Sequence, residues 1–143
     1  VHEYHPKLIG LYLFVEDIGA TSAFYSALGL KVEQISDMFG RATWEGEVVL
    51  EFGTKQLTES YDPNFNEPTS SSKSTINFEL ASVSAVDTKF EQLAQLGYVG
   101  HLAPIDALWQ ARFAIIEDPD GNYVGLHSPR DREAERDRET HDA

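Results

Sequence analysis

The chain has 143 residues, 41% of them hydrophobic, with a formal net charge of -13, which allows one domain or two small fused modules and repels phosphate backbones and anionic lipid. Nucleic acid and membrane surfaces are therefore not expected as partners, and the absence of cysteine removes disulfides, zinc thiolates, iron–sulfur clusters and thiol nucleophiles. No apolar stretch is long enough to cross a bilayer and the N-terminus lacks a basic region followed by an apolar one, so a soluble cytoplasmic protein is expected.

Val1 to Lys7 reads as a polar lead-in with His2 and His5, a solvated end rather than a metal site. Leu8 to Glu16 reads as a strand with two unlike faces, Leu11, Leu13 and Val15 on one and Gly10, Tyr12 and Phe14 on the other. Asp17 is placed to cap a helix from Ile18 that carries Phe24, Tyr25 and Leu28 and stops at Gly29. Strands follow over Leu30 to Ser36, Phe39 to Trp44 and Glu47 to Phe52, the last two joined at Glu45-Gly46. Thr54 to Lys73, rich in Thr, Ser, Asn, Pro and acid, reads as a linker or excursion loop, with a lid over a site as the functional alternative.

The pattern then restarts. Thr75 to Leu80 reads as a strand with Ile76, Phe78 and Leu80 on one face, and Ser82 or Ser84 caps a helix carrying Val86, Phe90, Leu93 and Leu96 that closes at Gly97. A strand near Tyr98 to Leu102, a loop through Pro104 and Asp106, a strand from Gln110 to Glu117, the turn Asp118-Pro119-Asp120-Gly121-Asn122 and a strand from Asn122 to His127 complete it. Strand, helix and three strands thus occur twice, over 8–53 and 74–128, and each half needs a partner for the bare face of its sheet. The tail, 129–143, is charged and expected to be disordered.

Mid-strand glycine normally weakens a strand unless something approaches the backbone closely, so Gly10 and Gly125 are expected to empty the floor of a cavity. The rings Tyr12, Phe14, Phe39, Trp44, Phe52, Trp109 and Tyr123 lie around it, and flat rigid rings suit planar or amphipathic ligands. Several of these rings belong equally well to a core, but Trp44 beside a hairpin turn and Trp109 after a Pro-containing loop do not.

Val15-Glu16-Asp17 entering a helix with Phe24-Tyr25, then Leu28-Gly29-Leu30, Leu50-Glu51-Phe52, Ile76-Asn77-Phe78-Glu79-Leu80 and Asp118-Pro119-Asp120-Gly121-Asn122 stand in register across both halves. From about Leu8 to Pro129 the chain resembles the vicinal oxygen chelate superfamily, which holds glyoxalases, bleomycin-resistance proteins and extradiol dioxygenases. The resemblance implies an α+β fold of two βαβββ modules whose mixed sheets curl around a central cavity, with helices outside. It also implies metal ligands on the first and last strands of each module, positions that fall on Gly10, Glu51, Thr75 and Gly125.

One carboxylate does not hold a divalent ion in a fixed open geometry, so no metal and no cofactor are expected. A displaced site of Glu51 and His127 has too few ligands unless His101 joins, and His127 reads better as a hydrogen-bonded groove or strand-end histidine. Members that lack the ligands resemble drug-binding proteins, which are acidic homodimers that sequester an antibiotic. The expectation is therefore a metal-free homodimer binding an aromatic or cationic small organic ligand through Tyr12, Phe14, Phe39, Trp44, Glu51, Asn77, Trp109, Arg112, Tyr123 and His127. Arg112 would hold the charge of Glu51 or meet a ligand carbonyl. The competing class is an enzyme of the same superfamily, a lyase, isomerase or dioxygenase, using the displaced site or acid–base catalysis by Glu51, His127 or Tyr12 without metal.

Overall fold

A computed structural model describes residues 7–46, 48–67 and 74–130. The expectations for His2 and His5, for 68–73 of the expected linker and for 131–143 of the tail lie outside the described residues. The chain forms two compact units, Val1–Pro68 and Thr69–Ala143.

The first unit begins with β1 (Gly10–Phe14) and α1 (Ile18–Leu28). Asp17 starts the helix because its Oδ1 accepts the otherwise orphaned N–H of Ala20 at 3.1 Å. Gly29 ends it in the left-handed region at φ 117, where its N–H donates to Ser26 O at 3.1 Å and the next N–H, of Leu30, reaches back to Tyr25 O at 3.0 Å. The strands β2 (Lys31–Gln34), β3 (Phe39–Thr43) and β4 (Val49–Gly53) complete a sheet of order β1-β4-β3-β2, with β1 parallel to β4 and the other pairs antiparallel.

Register decides the faces. Leu11 pairs with Leu50 and Leu13 with Phe52, so the aliphatic set of β1 shares the α1 side with the core. There Tyr25 stacks on Phe52 with ring centres 6.1 Å apart, while Phe24, Leu28, Ala42 and Leu50 are buried around them. Each large buried side chain of this set contributes about 1.5–3 kcal/mol by leaving water.

The second unit repeats the order as β5 (Thr75–Glu79), α3 (Val83–Gln95), β6 (Gly100–Ala107), β7 (Ala111–Glu117) and β8 (Tyr123–Pro129). Its sheet runs β5-β8-β7-β6, again with one parallel pair, β5 with β8. Ser82 rather than Ser84 caps α3, accepting from Ala85 N–H at 3.2 Å. Val86 and Leu93 bury the helix on Ala114, Ile116, Val124 and Leu126. The turn between β7 and β8 is held by Asp118, only 4% exposed, whose Oδ1 accepts the N–H groups of Asp120 and Asn122 and whose Oδ2 accepts the Asn122 amide, all at 2.9 Å. The two βαβββ modules of mixed sheet in an α+β fold are as the sequence led us to expect.

Three expectations change. The segment after β4, read as a loop, contains the helix α2 (Lys55–Tyr61); its N-cap residue Thr54 makes no side-chain capping bond, and the helix is held instead by Leu57 against Gly53 and by the bond of Thr58 to Tyr12. The loop expected through Pro104 and Asp106 is strand, since β6 is the sheet edge, where proline's missing N–H costs no ladder bond and two register shifts absorb the bend. Pro129, expected in the tail, is the last residue of β8 and pairs with Ala111.

Candidate functional site

In the second unit, the face of the sheet opposite α3 carries three cross-strand rows. Thr75 and Tyr123 meet Glu117, Asn77 and Gly125 meet Ile115, and Glu79 and His127 meet Phe113. Gly125 does not leave a void here. A Cβ at 125 would collide with Asn77 Oδ1 and stand 3.1 Å from Phe113 Cε1, so the amide and the ring occupy the space that the sequence suggested was empty.

Beside that row the rings form a wall. Trp109, 58% exposed in the turn between β6 and β7, donates its indole N–H to His127 Nε2 at 3.2 Å. Phe113 stands edge-on to both, 5.4 Å from Trp109 and 6.3 Å from His127, and His101 stacks on Tyr123 with ring centres 4.3 Å apart. An indole N–H only donates, so His127 presents a bare Nε2 lone pair to it and, when neutral, carries its proton on Nδ1. Phe113 was missed as a site residue, although its position opposite His127 follows from the β7–β8 pairing.

In the first unit the face opposite α1 carries Tyr12, Phe14, Phe39, Arg41 and Glu51, with Tyr12 and Arg41 both in register with Glu51. Helix α2 and the residues after it cover part of this face. Thr58 donates its hydroxyl to Thr54 O at 3.0 Å, so the 3.0 Å bond between Tyr12 and Thr58 has the phenol as donor. Tyr61 meets Tyr12 edge-on at 6.2 Å and Phe65 lies 5.1 Å from Phe14. Gly53 permits this, because any Cβ there would collide with the Tyr12 hydroxyl. Burial raises the pKa of the Tyr12 phenol, the hydrogen bond with Thr58 opposes this, and Tyr61 and the Glu51 charge act with burial. Arg41 turns to Glu33 at 3.5 Å, and Glu51 has no hydrogen bond or ion pair among the described residues. Trp44 stands one residue beyond β3, half-buried at the hairpin turn beside Gly46.

Arg112 is a correction. It pairs with Ser128 on β8, a row of the α3 side, and donates through Nε to Asp87 at 2.9 Å and through Nη1 to Asp106 at 3.1 Å. The hydrogen bond to Asp87, with the charges of both carboxylates, raises its pKa and keeps it ionised. Strand parity therefore sends Arg112 to the face away from Tyr123, Gly125 and His127.

A sequence profile described as the Glyoxalase/Bleomycin resistance protein/Dioxygenase superfamily matches residues 7–126. The chain belongs to that superfamily. Among solved structures, this superfamily member is similar to a glyoxalase/bleomycin resistance protein/dioxygenase from Nocardioides at 26% identity and TM-score 0.72, covering 90% of this chain and 86% of that one. A glyoxalase/bleomycin resistance protein/dioxygenase family enzyme from Burkholderia phytofirmans PsJN shares the fold at 24% identity and TM-score 0.76, over 86% of this chain and 98% of that one. A lactoylglutathione lyase from Agrobacterium tumefaciens does so at 18% identity and TM-score 0.67, over 90% and 97%. No curated protein matches the sequence.

Within the superfamily frame, the residues present do not fit a metal ion. Of the four positions that the resemblance assigns to ligands, only Glu51 offers a charged donor, while Gly10 and Gly125 offer none and the Thr75 hydroxyl is a weak neutral one. Among the described residues no three His, Asp or Glu side chains gather closely enough to hold an ion, and the Nε2 of His127 is already taken by Trp109. No described helix is long and apolar enough to cross a membrane.

Proposed function

We propose that this superfamily member binds a small organic molecule, aromatic or cationic, without a metal, and that sequestration of an antibiotic is the most concrete form of that activity. The observation that carries the reading is at Gly125, where the place of a metal-binding carboxylate is taken by the neutral Asn77 amide against the Phe113 ring. Rings and an amide on the sheet face of the second module favour a planar guest there, and on the first module the Glu51 carboxylate, unpaired among the described residues, favours a positive one. The candidate contacts on the face of the second module are Asn77, Trp109, Tyr123 and His127; the face of the first module offers its own, Tyr12, Phe14, Phe39 and Glu51, with Trp44 at the hairpin turn. A homodimer in the cytoplasm is part of the proposal, and Leu108 at 98% exposure beside Trp109 is an apolar surface that a second copy would cover.

The test uses Trp44→Phe protein, so that Trp109 is the sole indole. Saturable quenching of its emission by a planar cationic drug, with the drug recovered unchanged and the protein free of stoichiometric divalent metal, is the expected result. Recovery of a converted product over many turnovers, or a bound metal lost on Glu51→Ala, transfers the protein to the enzyme class.

A further inference from the structure

The side of the second sheet that packs on α3 holds a trench of about 500 Å3, lined by Asp87, Phe90, Glu91, Ala94, Pro104 and Arg112, with Gln95 at its end. It lies on the face away from Asn77, Gly125 and His127, and it does not depend on the function proposed above. Its size falls within the range of about 300–1,000 Å3 that small-molecule sites occupy.

The chain builds this trench deliberately. Positions 87, 90, 91 and 94 recur at helical spacing and form one stripe of α3. The opposite wall is the edge strand β6, which departs from regular pairing between Gly100 and Leu102 and again between Leu102 and Ile105, with Pro104 inside the second shift. Gly100 lets the Phe90 ring lie against the strand backbone, since a Cβ there would collide with the ring. Arg112 locks the far end by bridging Asp87 of α3 at 2.9 Å and Asp106 of β6 at 3.1 Å.

Among the charged side chains of the lining, the carboxylates of Asp87 and Glu91 outnumber the single guanidinium of Arg112. Asp87 Oδ1 accepts from Arg112 and Glu91 Oε1 accepts from the Gln95 amide at 3.3 Å, so among the described residues Asp87 Oδ2 and Glu91 Oε2 accept nothing, while Arg112, the cation of the lining, spends its Nε on Asp87 and its Nη1 on Asp106. These two carboxylates are one helical turn apart, a like-charge spacing that costs stability, and the single guanidinium answers only the first. Phe90, Ala94 and Pro104 supply the apolar lining, and with two carboxylates against one guanidinium the polar part of the trench is net negative, which suits a ring bearing a protonated amine.

We propose that the α3–β6 trench is a second binding site, which takes an aromatic monoamine with its ring on Phe90 and Pro104 and its ammonium on Glu91 and Asp87. The test is a titration of the full-length 15N-labelled protein with 2-phenylethylammonium, followed by amide shifts, beside its neutral counterpart 2-phenylethanol. Saturable shifts confined to 87–95 and 100–107 are expected, weakened about tenfold by Ala94→Trp, which fills the trench from an exposed helical position and removes roughly 1.4 kcal/mol of binding. Glu91→Gln, or replacement of the amine by the alcohol, is expected to weaken binding about threefold, the scale of an exposed ion pair. The spectra also show that each variant is folded. Shifts that fall elsewhere, that never saturate, or that persist unchanged in Ala94→Trp overturn the site, and equal binding of the alcohol and the amine overturns its charge preference.

Discussion

The side chain of Asn77 lies over Gly125 of the neighbouring strand, so that a Cβ at 125 would collide with Asn77 Oδ1. Two adjacent parallel strands therefore share one side chain's worth of space, and residue 77 has taken it. Gly125→Ala forces the amide aside and is expected to cost about 1–3 kcal/mol, the usual scale of overpacking. The cost falls below about 1 kcal/mol in an Asn77→Ala background, because the two substitutions draw on the same volume and are coupled. Urea unfolding of the four proteins of this cycle measures the difference, and simple additivity would show that the two residues do not compete.

The bond from Trp109 to His127 fixes which ring nitrogen is bare. Long-range 1H–15N spectra of the histidine rings are expected to show neutral His127 with its proton on Nδ1 in the wild-type protein. Trp109→Phe keeps a ring beside Phe113 but removes the donor, and the Nε2-protonated tautomer should then gain population. An unchanged tautomer ratio in that variant refutes the assignment. Loss of one hydrogen bond at a half-exposed site is expected to lower stability by about 0.5–1.5 kcal/mol.

Arg112 joins three elements through two carboxylates, Asp87 on α3 and Asp106 on β6, that are themselves about half exposed. Exposed ion pairs contribute roughly 0.2–1 kcal/mol each, so Arg112→Ala should destabilise the protein by about 0.5–2 kcal/mol, and added salt should shrink the difference. The same variant leaves Trp109 emission unaltered if strand parity has been read correctly, because Arg112 stands on the other face of β7.

Local chemistry made most of the fold legible. Asp17, Gly29, Ser82 and Gly97 are end signals whose physics lies within four residues, and they place both long helices. Where the deciding force is tertiary, the sequence misleads. The composition of 54–67 describes a loop, yet Thr58 gains a helix by docking on Tyr12, and Pro104 reads as a breaker until β6 is known to be an edge. The candidate site was legible as a list of residue types on alternating strands, so Tyr12, Glu51, Asn77, Tyr123 and His127 fall on the expected faces. What alternation does not reveal is which side chains occupy one another's space. Gly125 is filled rather than empty for that reason, and Arg112 is consumed by Asp87 and Asp106 before any ligand is considered.

Tyr12 is bonded to Thr58 and meets Tyr61 edge-on, and its phenol is held protonated chiefly by burial, with Tyr61 and the Glu51 charge adding to the effect and the bond to Thr58 opposing it. Its pKa in the folded protein stands above the ordinary tyrosine value, which means that the folded state binds this proton more tightly than the unfolded chain does. The corresponding stabilisation is complete below the unfolded value near 10 and is lost as the pH rises through the folded one. Tyr12→Phe removes both the bond and the titration. It is expected to cost about 0.5–1.5 kcal/mol at neutral pH, and the gap between the two proteins should close in strong alkali. Unfolding measured from neutral pH to above the tyrosine range, with phenolate absorbance recorded alongside, checks this. A wild-type minus Tyr12→Phe difference spectrum that titrates at or below the free tyrosine value would mean that α2 does not shield the ring, and the covering of the Glu51 face by that helix would have to be abandoned.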